Sequence, residues 1–346
     1  MKKSIFGHLL LALILSSCVT SAYAWAERGH DLITRVAVQN LRLMSGDKQA
    51  LVKPFVARDH MLAHLSNTPD IVWRAAYMSD LERKENYSTH FINLEKVYLG
   101  VTLWSDLPLD FALYSKDAKE NGHTAVEVGT APWRVIQLYK GMVDALVVAG
   151  KAEDKMALED SVNQALLMGG IMSHFVGDLA NPHHTTANYD GQLTGQRGLH
   201  AYFESQVVSE LSFALSARIA KQAKKNWLKN YSKFEQKAIL SDPNKLVWAL
   251  VGNSHSRLPA LLKLDRKYSL LENSQGEKGR AVRKPVSEIA TRYEKFAVER
   301  LSVGAATLSQ LWLLAWQQAG SPDLSRYRSY SYPVKPDFIR PDYLLK

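Results

Sequence analysis

Apolar residues recur every three or four positions along long stretches of this chain, which is the spacing of one face of an α-helix. The pattern is clearest in residues 30–44, 158–179, 199–223 and 286–318. Alternating strand-like runs bounded by tight turn dipeptides are absent from the sequence. The pattern therefore predicts an all-α fold in which several helices pack into a single multi-helix domain.

The chain is long enough, at 346 residues, to bury a substantial core. No shift in composition divides it, so we expect a single folded domain over residues 25–319. A segment rich in proline, tyrosine and arginine follows, and residues 320–346 are expected to form a tail.

The first 24 residues have the pattern of a secretory signal. Two lysines precede an apolar run over residues 9–15, and Ala22-Tyr23-Ala24 offers a small-residue cleavage site. Cleavage there would make Trp25 the first residue of an exported protein, periplasmic or secreted. A competing interpretation is a lipoprotein processing box over residues 15–18, which would retain a lipidated Cys18.

The charge balance favours anionic partners. The formal charge is +9, and it falls to +7 when the two lysines of the signal segment are removed. Nucleic acid, phosphate esters and anionic lipid surfaces all suit such a protein. The basic segment 265–284 is either a solvated connection or a contact for an anionic substrate.

Two pairs of metal-ligand side chains lie in a stretch of about 30 residues. His174 and Asp178 are four residues apart, as are His200 and Glu204. On a helix, residues at this spacing share a face, so each pair could close on one metal ion. Pro182 should end the first helix near Asn181 and turn the chain back toward the second pair.

Imidazole and carboxylate ligands without thiolate favour zinc over magnesium or calcium. A single cysteine excludes a site with several thiolates. Further ligand candidates lie earlier in the chain. They are His30, close to the expected new amino terminus at Trp25, and Asp80 with His90. Arg83, three residues after Asp80, could bind a phosphate oxygen.

Four sets of residues together resemble the superfamily of zinc-dependent phospholipases C and single-strand-specific nucleases. They are Trp25 with His30, Asp80 with His90, His174-x3-Asp178-x5-His184, and His200-x3-Glu204. The resemblance covers roughly residues 25–204. It implies three zinc ions: one held by Asp80, His90, His174 and Asp178, a second by His184, His200 and Glu204, and a third by the Trp25 amino and carbonyl groups, His30 and Asp178.

The resemblance implies that the protein hydrolyses phosphodiesters. A hydroxide that bridges zinc ions would attack phosphorus, and Asp80 and Arg83 would belong to the catalytic machinery. The nuclease or 3′-nucleotidase branch is favoured, with single-stranded nucleic acid or a nucleotide as substrate and with Phe91 and Asn93 contacting it. Glu204 and the short 184–200 loop resemble the phospholipases C instead, which would act at a phospholipid surface. A zinc-binding envelope protein without catalysis is a third alternative.

Overall fold

The computed structural model describes residues 25–44, 49–75, 78–96, 110–275 and 279–328. The expected signal segment and residues 329–346 of the expected tail lie outside these ranges. Within them the protein is almost entirely helical, as the hydrophobic pattern predicted. No helix among these residues is both long enough and apolar enough to cross a membrane.

The α-helices, in chain order, are α1 (Ala26–Met44), α2 (Gln49–Ala57), α3 (Asp59–Leu65), α4 (Thr68–Ile71), α5 (Asp80–Ser88), α6 (Phe111–Glu120), α7 (Ala125–Val128), α8 (Ala131–Gly150), α9 (Lys155–Ala180), α10 (Leu199–Ala201), α11 (Val208–Glu210), α12 (Leu215–Ala223), α13 (Lys233–Leu240), α14 (Pro243–His255), α15 (Leu258–Tyr268) and α16 (Val286–Gln318). A π-helical segment, Tyr202–Val207, joins α10 to α11. Short 3₁₀ turns cover Leu94–Lys96, Pro182–Thr185 and Gln192–Thr194.

Helix α9 lies at the centre of the fold, packed against α8, α16 and α3. It begins where the Asp154 carboxylate accepts the Ala157 backbone N–H (2.8 Å). It ends at Ala180 because Pro182 follows, and Asn181 is already extended (ψ 126°). Every residue from 169 to 180 is buried. Polar side chains in this part of α9 therefore need partners inside the protein.

Around α9 the long helices α1, α8 and α16 bury one continuous apolar core. Two aromatic rings, Phe55 from α2 and Trp312 from α16, meet in it with their centroids 4.8 Å apart. The start of the expected tail is attached to this body, since Tyr327 is fully buried. Its hydroxyl donates to Asn163 Oδ1 (2.9 Å) and accepts from Arg58 Nε (2.8 Å).

The basic segment 265–284 is more structured than expected. After α15 the chain forms a small antiparallel hairpin of β1 (Leu270–Gln275) and β2 (Ala281–Arg283). Arg283 points inward and forms a double ion pair with the buried Asp265, Nε to Oδ1 at 2.8 Å and Nη2 to Oδ2 at 3.0 Å. This bidentate pairing to a buried carboxylate holds Arg283 in place. Its contribution is therefore structural.

Candidate metal centre

The last turns of α9 carry the first predicted pair. His174 and Asp178 are both fully buried, with 3.3 Å between His174 Nε2 and Asp178 Oδ2. The cap residue Asn181 extends the polar interior, since its side-chain N–H donates to Glu204 Oε2 (2.8 Å). The turn after Pro182 thus brings the second pair against the first, as the sequence predicted.

The second pair lies on a helix that is not a regular α-helix. His200 is in α10 and Glu204 in the π-helical segment, and His200 Nε2 lies 2.8 Å from Glu204 Oε2. The spacing of four residues predicted this contact, although it assumed α-helical geometry. Single π-turns within helices occur frequently at functional sites.

Backbone carbonyl groups orient two of the histidine rings. The Nδ1–H of His174 donates to the Ser66 carbonyl (2.7 Å), and the Nδ1–H of His184 donates to the His90 carbonyl (2.6 Å). A carbonyl oxygen only accepts, so each ring carries its proton on Nδ1 and presents the lone pair of Nε2. Both Nε2 atoms face the buried carboxylates of the centre. Such contacts orient and fix the tautomer of metal-binding histidines.

His30 reaches the centre from α1. Its ring stacks on that of His174, with centroids 4.1 Å apart, and its Nε2 lies 3.5 Å from Asp178 Oδ1. Space for it exists because residue 177 of α9 is glycine. A Cβ atom on Gly177 would lie 2.7 Å from His30 Nδ1.

Trp25 also contacts the centre, but at a different carboxylate from the one expected. Its backbone N–H donates to Glu204 Oε2 (3.1 Å), whereas the resemblance groups its amino nitrogen with Asp178. Its indole N–H donates to the Gly177 carbonyl (2.6 Å), and the ring is fully buried. The backbone φ of +50° is rare for a residue with a side chain. These buried contacts hold that unfavourable conformation.

The structure does not bring Asp80 or Arg83 to the centre. Asp80 is 97% exposed and pairs with Arg83 on the surface of α5. The reason is local, because Ser79 and Glu82 form a reciprocal capping box that fixes Asp80 in the exposed first turn of a polar helix. The sequence Ser79-x-x-Glu82 carries this signal, so the prediction for Asp80 as a ligand can be corrected on physical grounds.

Asp70 occupies the place expected for Asp80, and sequence reasoning missed it. It is only 5% exposed, and its Oδ1 lies 3.8 Å from His90 Nδ1 and 4.0 Å from His174 Nε2. Arg74, one helical turn later, pairs with it (Nη1 to Oδ1, 3.0 Å). The available signal was this Asp-x3-Arg spacing directly after Pro69, where a short helix can begin.

Buried donor atoms thus form three groups, each with its donor atoms within 4.8 Å of one another. We name them the Asp70 group (Asp70, His90, His174), the His30 group (His30, His174, Asp178) and the Glu204 group (His184, His200, Glu204). His183, adjacent to His184, belongs to none of them, so only His184 of this adjacent pair is grouped with other donors.

The electrostatics of the centre favour a bound cation. Burial raises the pKa of Asp178 to about 8, with His184 opposing and Glu204 reinforcing the shift. Burial likewise raises the pKa of Asp70. Burial lowers the pKa of His174 to about 4, which keeps this imidazole neutral, the form that binds metals. Carboxylates in one dry volume repel each other, and a metal ion between them would remove that repulsion.

The donor set fits metal ions. Its buried atoms without a hydrogen-bond partner among the residues described include Asp70 Oδ2, His90 Nε2, Asp178 Oδ1 and Glu204 Oε1. An unpaired buried polar atom costs about 1–3 kcal/mol, and here each belongs to one of the three groups. Neutral imidazole nitrogens beside carboxylate oxygens are the ligands of zinc and related divalent metals. The prediction of a metal centre is confirmed to this extent, without the identity of the metal.

A pocket of about 520 Å³ opens over the centre. Asp70, His90, His184 and His200 contribute to its lining, as do Phe91 and Asn93, whose contact with substrate stays a prediction. Most of its other lining residues carry aromatic rings or positive charges. They are Tyr87, Tyr189, Arg74, Lys84 and Lys96, together with Val126, Glu127 and His183.

The ring of Phe91 is held from two sides. It meets Tyr87 edge-on, with centroids 5.4 Å apart. Gly129, at φ +103°, lies so close on the other side that a Cβ atom there would be 2.6 Å from Cδ2 of the ring. Asn93 is anchored as well, since its side-chain N–H donates to the Glu127 carbonyl (3.2 Å). The wall of the pocket is therefore preformed.

The fold and the site define an all-α protein with a buried centre of histidine and carboxylate side chains that could bind metal ions. No protein-family model matches the chain, and no curated protein matches it either. The functional argument therefore depends on the geometry of this centre and its pocket.

Proposed function

We propose that this protein is an exported, zinc-dependent phosphodiester hydrolase that acts on single-stranded nucleic acid or nucleotides. The observation that supports it best is the position of three metal-ligand groups beneath a pocket walled by aromatic rings and cations. Aromatic faces stack on bases in a sequence-tolerant manner, and cations beside them bind the phosphate backbone.

The ligands in this proposal are the members of the three groups, with Asp70 in place of Asp80. When bound, zinc ions act as Lewis acids toward a phosphoryl oxygen and make water a better nucleophile at neutral pH. The two carboxylate oxygens of Asp178 face different groups, with Oδ1 at 3.5 Å from His30 Nε2 and Oδ2 at 3.0 Å from His90 Nδ1, so Asp178 is suited to bridge two ions. The backbone contacts of His174 and His184 hold their Nε2 lone pairs toward the centre before substrate arrives.

Substrate contacts fall to other residues of the pocket. Arg74 is 26% exposed and next to Asp70, so its guanidinium can also bind a phosphoryl oxygen and offset developing negative charge. It takes the role first expected of Arg83. Phe91 offers a stacking face, and the Asn93 side chain lies beside it on the wall. Lys84 and Lys96 supply positive charge for neighbouring phosphates.

Export would also affect the centre. Cleavage before Trp25 would convert its backbone nitrogen, 3.1 Å from Glu204 Oε2, into an amino group next to that carboxylate. A metal ion can displace the proton of such an amino group and bind its nitrogen. Intact mass of the exported protein tests this, because a chain beginning at Trp25 is expected and a lipidated chain beginning at Cys18 would contradict it.

Phospholipase C activity is the second candidate. Val126, Tyr87 and Tyr189 are 40–53% exposed and line the pocket. Apolar and amphipathic side chains at a pocket opening suit contact with a lipid surface.

One comparison separates the candidates. Zinc-loaded protein is assayed on single-stranded DNA and on phosphatidylcholine vesicles, each with a chelator control. Phe91→Ala is compared with Phe234→Ala, which removes an 84% exposed ring outside the pocket. We expect chelator-sensitive cleavage of DNA, with kcat/KM about 10- to 100-fold lower in Phe91→Ala because stacking contributes about 1–3 kcal/mol per base.

Three outcomes would contradict this expectation. Cleavage of lipid alone would establish the phospholipase alternative. An equal effect of the two phenylalanine variants would remove the role of Phe91. Zinc binding without hydrolysis of either substrate would leave a non-catalytic zinc-binding protein.

A further inference from the structure

A second cavity, larger than the metal pocket, lies elsewhere on the molecule. Its volume is about 920 Å³, and α12, the segment that follows it, the end of α14 and the middle of α16 enclose it. It shares no lining residue with the pocket over the metal centre. A ligand bound in it would therefore not compete directly for the residues of that pocket.

The cavity is strongly cationic. Six of its lining side chains carry a positive charge and two carry a negative charge, a formal excess of four positive charges. The cations are Arg218, Lys225, Lys229, Arg257, Lys295 and Arg300. Low-dielectric walls that bear one sign of charge concentrate oppositely charged ligands.

The two carboxylates do not neutralise this charge. Glu294 pairs with Arg218. Glu299 serves two guanidinium groups, with Oε1 at 2.8 Å from Arg257 Nε and at 3.2 Å from Arg300 Nη2. Because Glu299 carries a single negative charge, it can neutralise only one of these two guanidinium charges.

Three lysines of the cavity have no ion-pair partner in the part of the chain that the structure describes. They are Lys225, Lys229 and Lys295, and all three are exposed. Their charges are therefore available to a bound anion.

The guanidinium charge of Arg300 is not solvated by water at the protein surface, because this residue is buried. It is 1% exposed, and its two terminal nitrogens contact Asn253 Oδ1 (2.7 Å) and Ser254 Oγ (3.4 Å). Its Nε finds no acceptor among the residues described. Burial lowers the pKa of this guanidinium to about 10, with Glu299 opposing the shift. A buried charge with an unused donor is costly unless an anion completes its shell.

Neutral side chains of the cavity suit a ligand larger than an inorganic ion. The amides of Asn226 and Asn230 offer donors and acceptors, and the half-buried Trp227 offers an aromatic face. The volume is in the range of small-molecule sites.

We propose that this cavity is a second ligand site that binds a small phosphate-bearing molecule, held by the Arg257–Arg300 guanidinium pair and by Lys225 and Lys229. A phosphate group carries several acceptor oxygens and about two negative charges, so it matches guanidinium forks better than a single carboxylate does. The proposal stands whether or not the metal centre is hydrolytic.

Calorimetric titration of the zinc-loaded full protein with pyrophosphate and with adenosine monophosphate tests the proposal. The test variant is Lys225→Gln/Lys229→Gln, and the matched control is Lys221→Gln/Lys224→Gln. Each variant removes two exposed charges within residues 221–229, but only the first pair lines the cavity. Asp178→Asn, measured alongside, identifies any binding at the metal centre.

We expect the affinity for at least one probe to fall about tenfold or more in the test variant. It should change less than twofold in the control and persist in Asp178→Asn. Tighter binding of pyrophosphate would identify free phosphates as the ligand class, and tighter binding of the nucleotide would identify nucleoside phosphates. Equal affinities in the test and control variants, or loss of all binding in Asp178→Asn, would overturn the proposal. Hydrolysis rates of the test variant report separately on the function proposed for the metal centre.

Discussion

Asp70 and Asp80 provide a matched pair for testing the metal centre. The same change of carboxylate to amide is made at both positions, in Asp70→Asn and Asp80→Asn. Asp70 is 5% exposed and next to His90 and His174, whereas Asp80 is 97% exposed and pairs only with Arg83 among the contacts described. The two variants therefore differ in the position of the lost charge and not in its chemistry.

The expected size of the effect follows from what Asp70 would do as a ligand. Loss of a residue that only orients a ligand weakens metal binding about 10- to 100-fold, so loss of a direct anionic ligand should cost about 100-fold or more. That factor corresponds to about 2.7 kcal/mol. Because metal binding stabilises the folded state by mass action, the same amount should disappear from the zinc-induced stabilisation of Asp70→Asn. For a domain of this size the lost shift in Tm is about 4 °C.

Two measurements cover the prediction. Zinc affinity is obtained by competition with a chromogenic chelator, and Tm is recorded with and without zinc. We expect Asp70→Asn to lose at least one zinc ion per chain and part of the zinc-induced rise in Tm. Its metal-free Tm should be no lower than that of the wild-type protein, because burial already raises the pKa of Asp70 and thus disfavours its charged form.

Asp80→Asn should bind zinc as the wild-type protein does. Wild-type stoichiometry and affinity in Asp70→Asn would refute the assignment of Asp70. A loss confined to Asp80→Asn would identify Asp80, and not Asp70, as the ligand.

Three further predictions concern the same centre. Glu204→Gln should lower zinc stoichiometry with the helical circular dichroism retained, and unchanged stoichiometry would contradict its role as a ligand. Gly177→Ala should cost about 1–3 kcal/mol of stability in a denaturant titration, because its Cβ atom would lie 2.7 Å from His30. The control is Gly141→Ala, which should be near neutral in the same titration because the nearest atom there is the sulfur of a flexible thioether. Burial raises the pKa of Asp178 to about 8, so its proton must leave before a cation binds. Zinc affinity should therefore rise about tenfold per pH unit between pH 5 and 8. A zinc affinity that does not change with pH in chelator competition would argue against this.

Local sequence patterns were sufficient to predict the main helices and two side-chain contacts of the metal centre. Helical periodicity identified α1, α9 and α16, because one apolar face must be buried whatever the neighbouring elements are. The spacing of His174 with Asp178 and of His200 with Glu204 predicted two contacts that the structure shows. Both predictions depended only on the geometry of a single helical turn.

Long-range assembly decided the rest. Asp70 reaches His174 across about 100 residues of chain. The Asp-x3-Arg spacing after Pro69 marks Asp70 as a candidate, but no local pattern shows that it meets His174. Trp25 acquired its contact with Glu204 in the same way. The cationic cavity brings α12, α14 and α16 together, and its burial of Arg300 has no sequence signature. Sequence alone determined which side chains share a helix face, whereas tertiary packing determined which faces meet, because burial and charge compensation depend on residues that are distant in the chain.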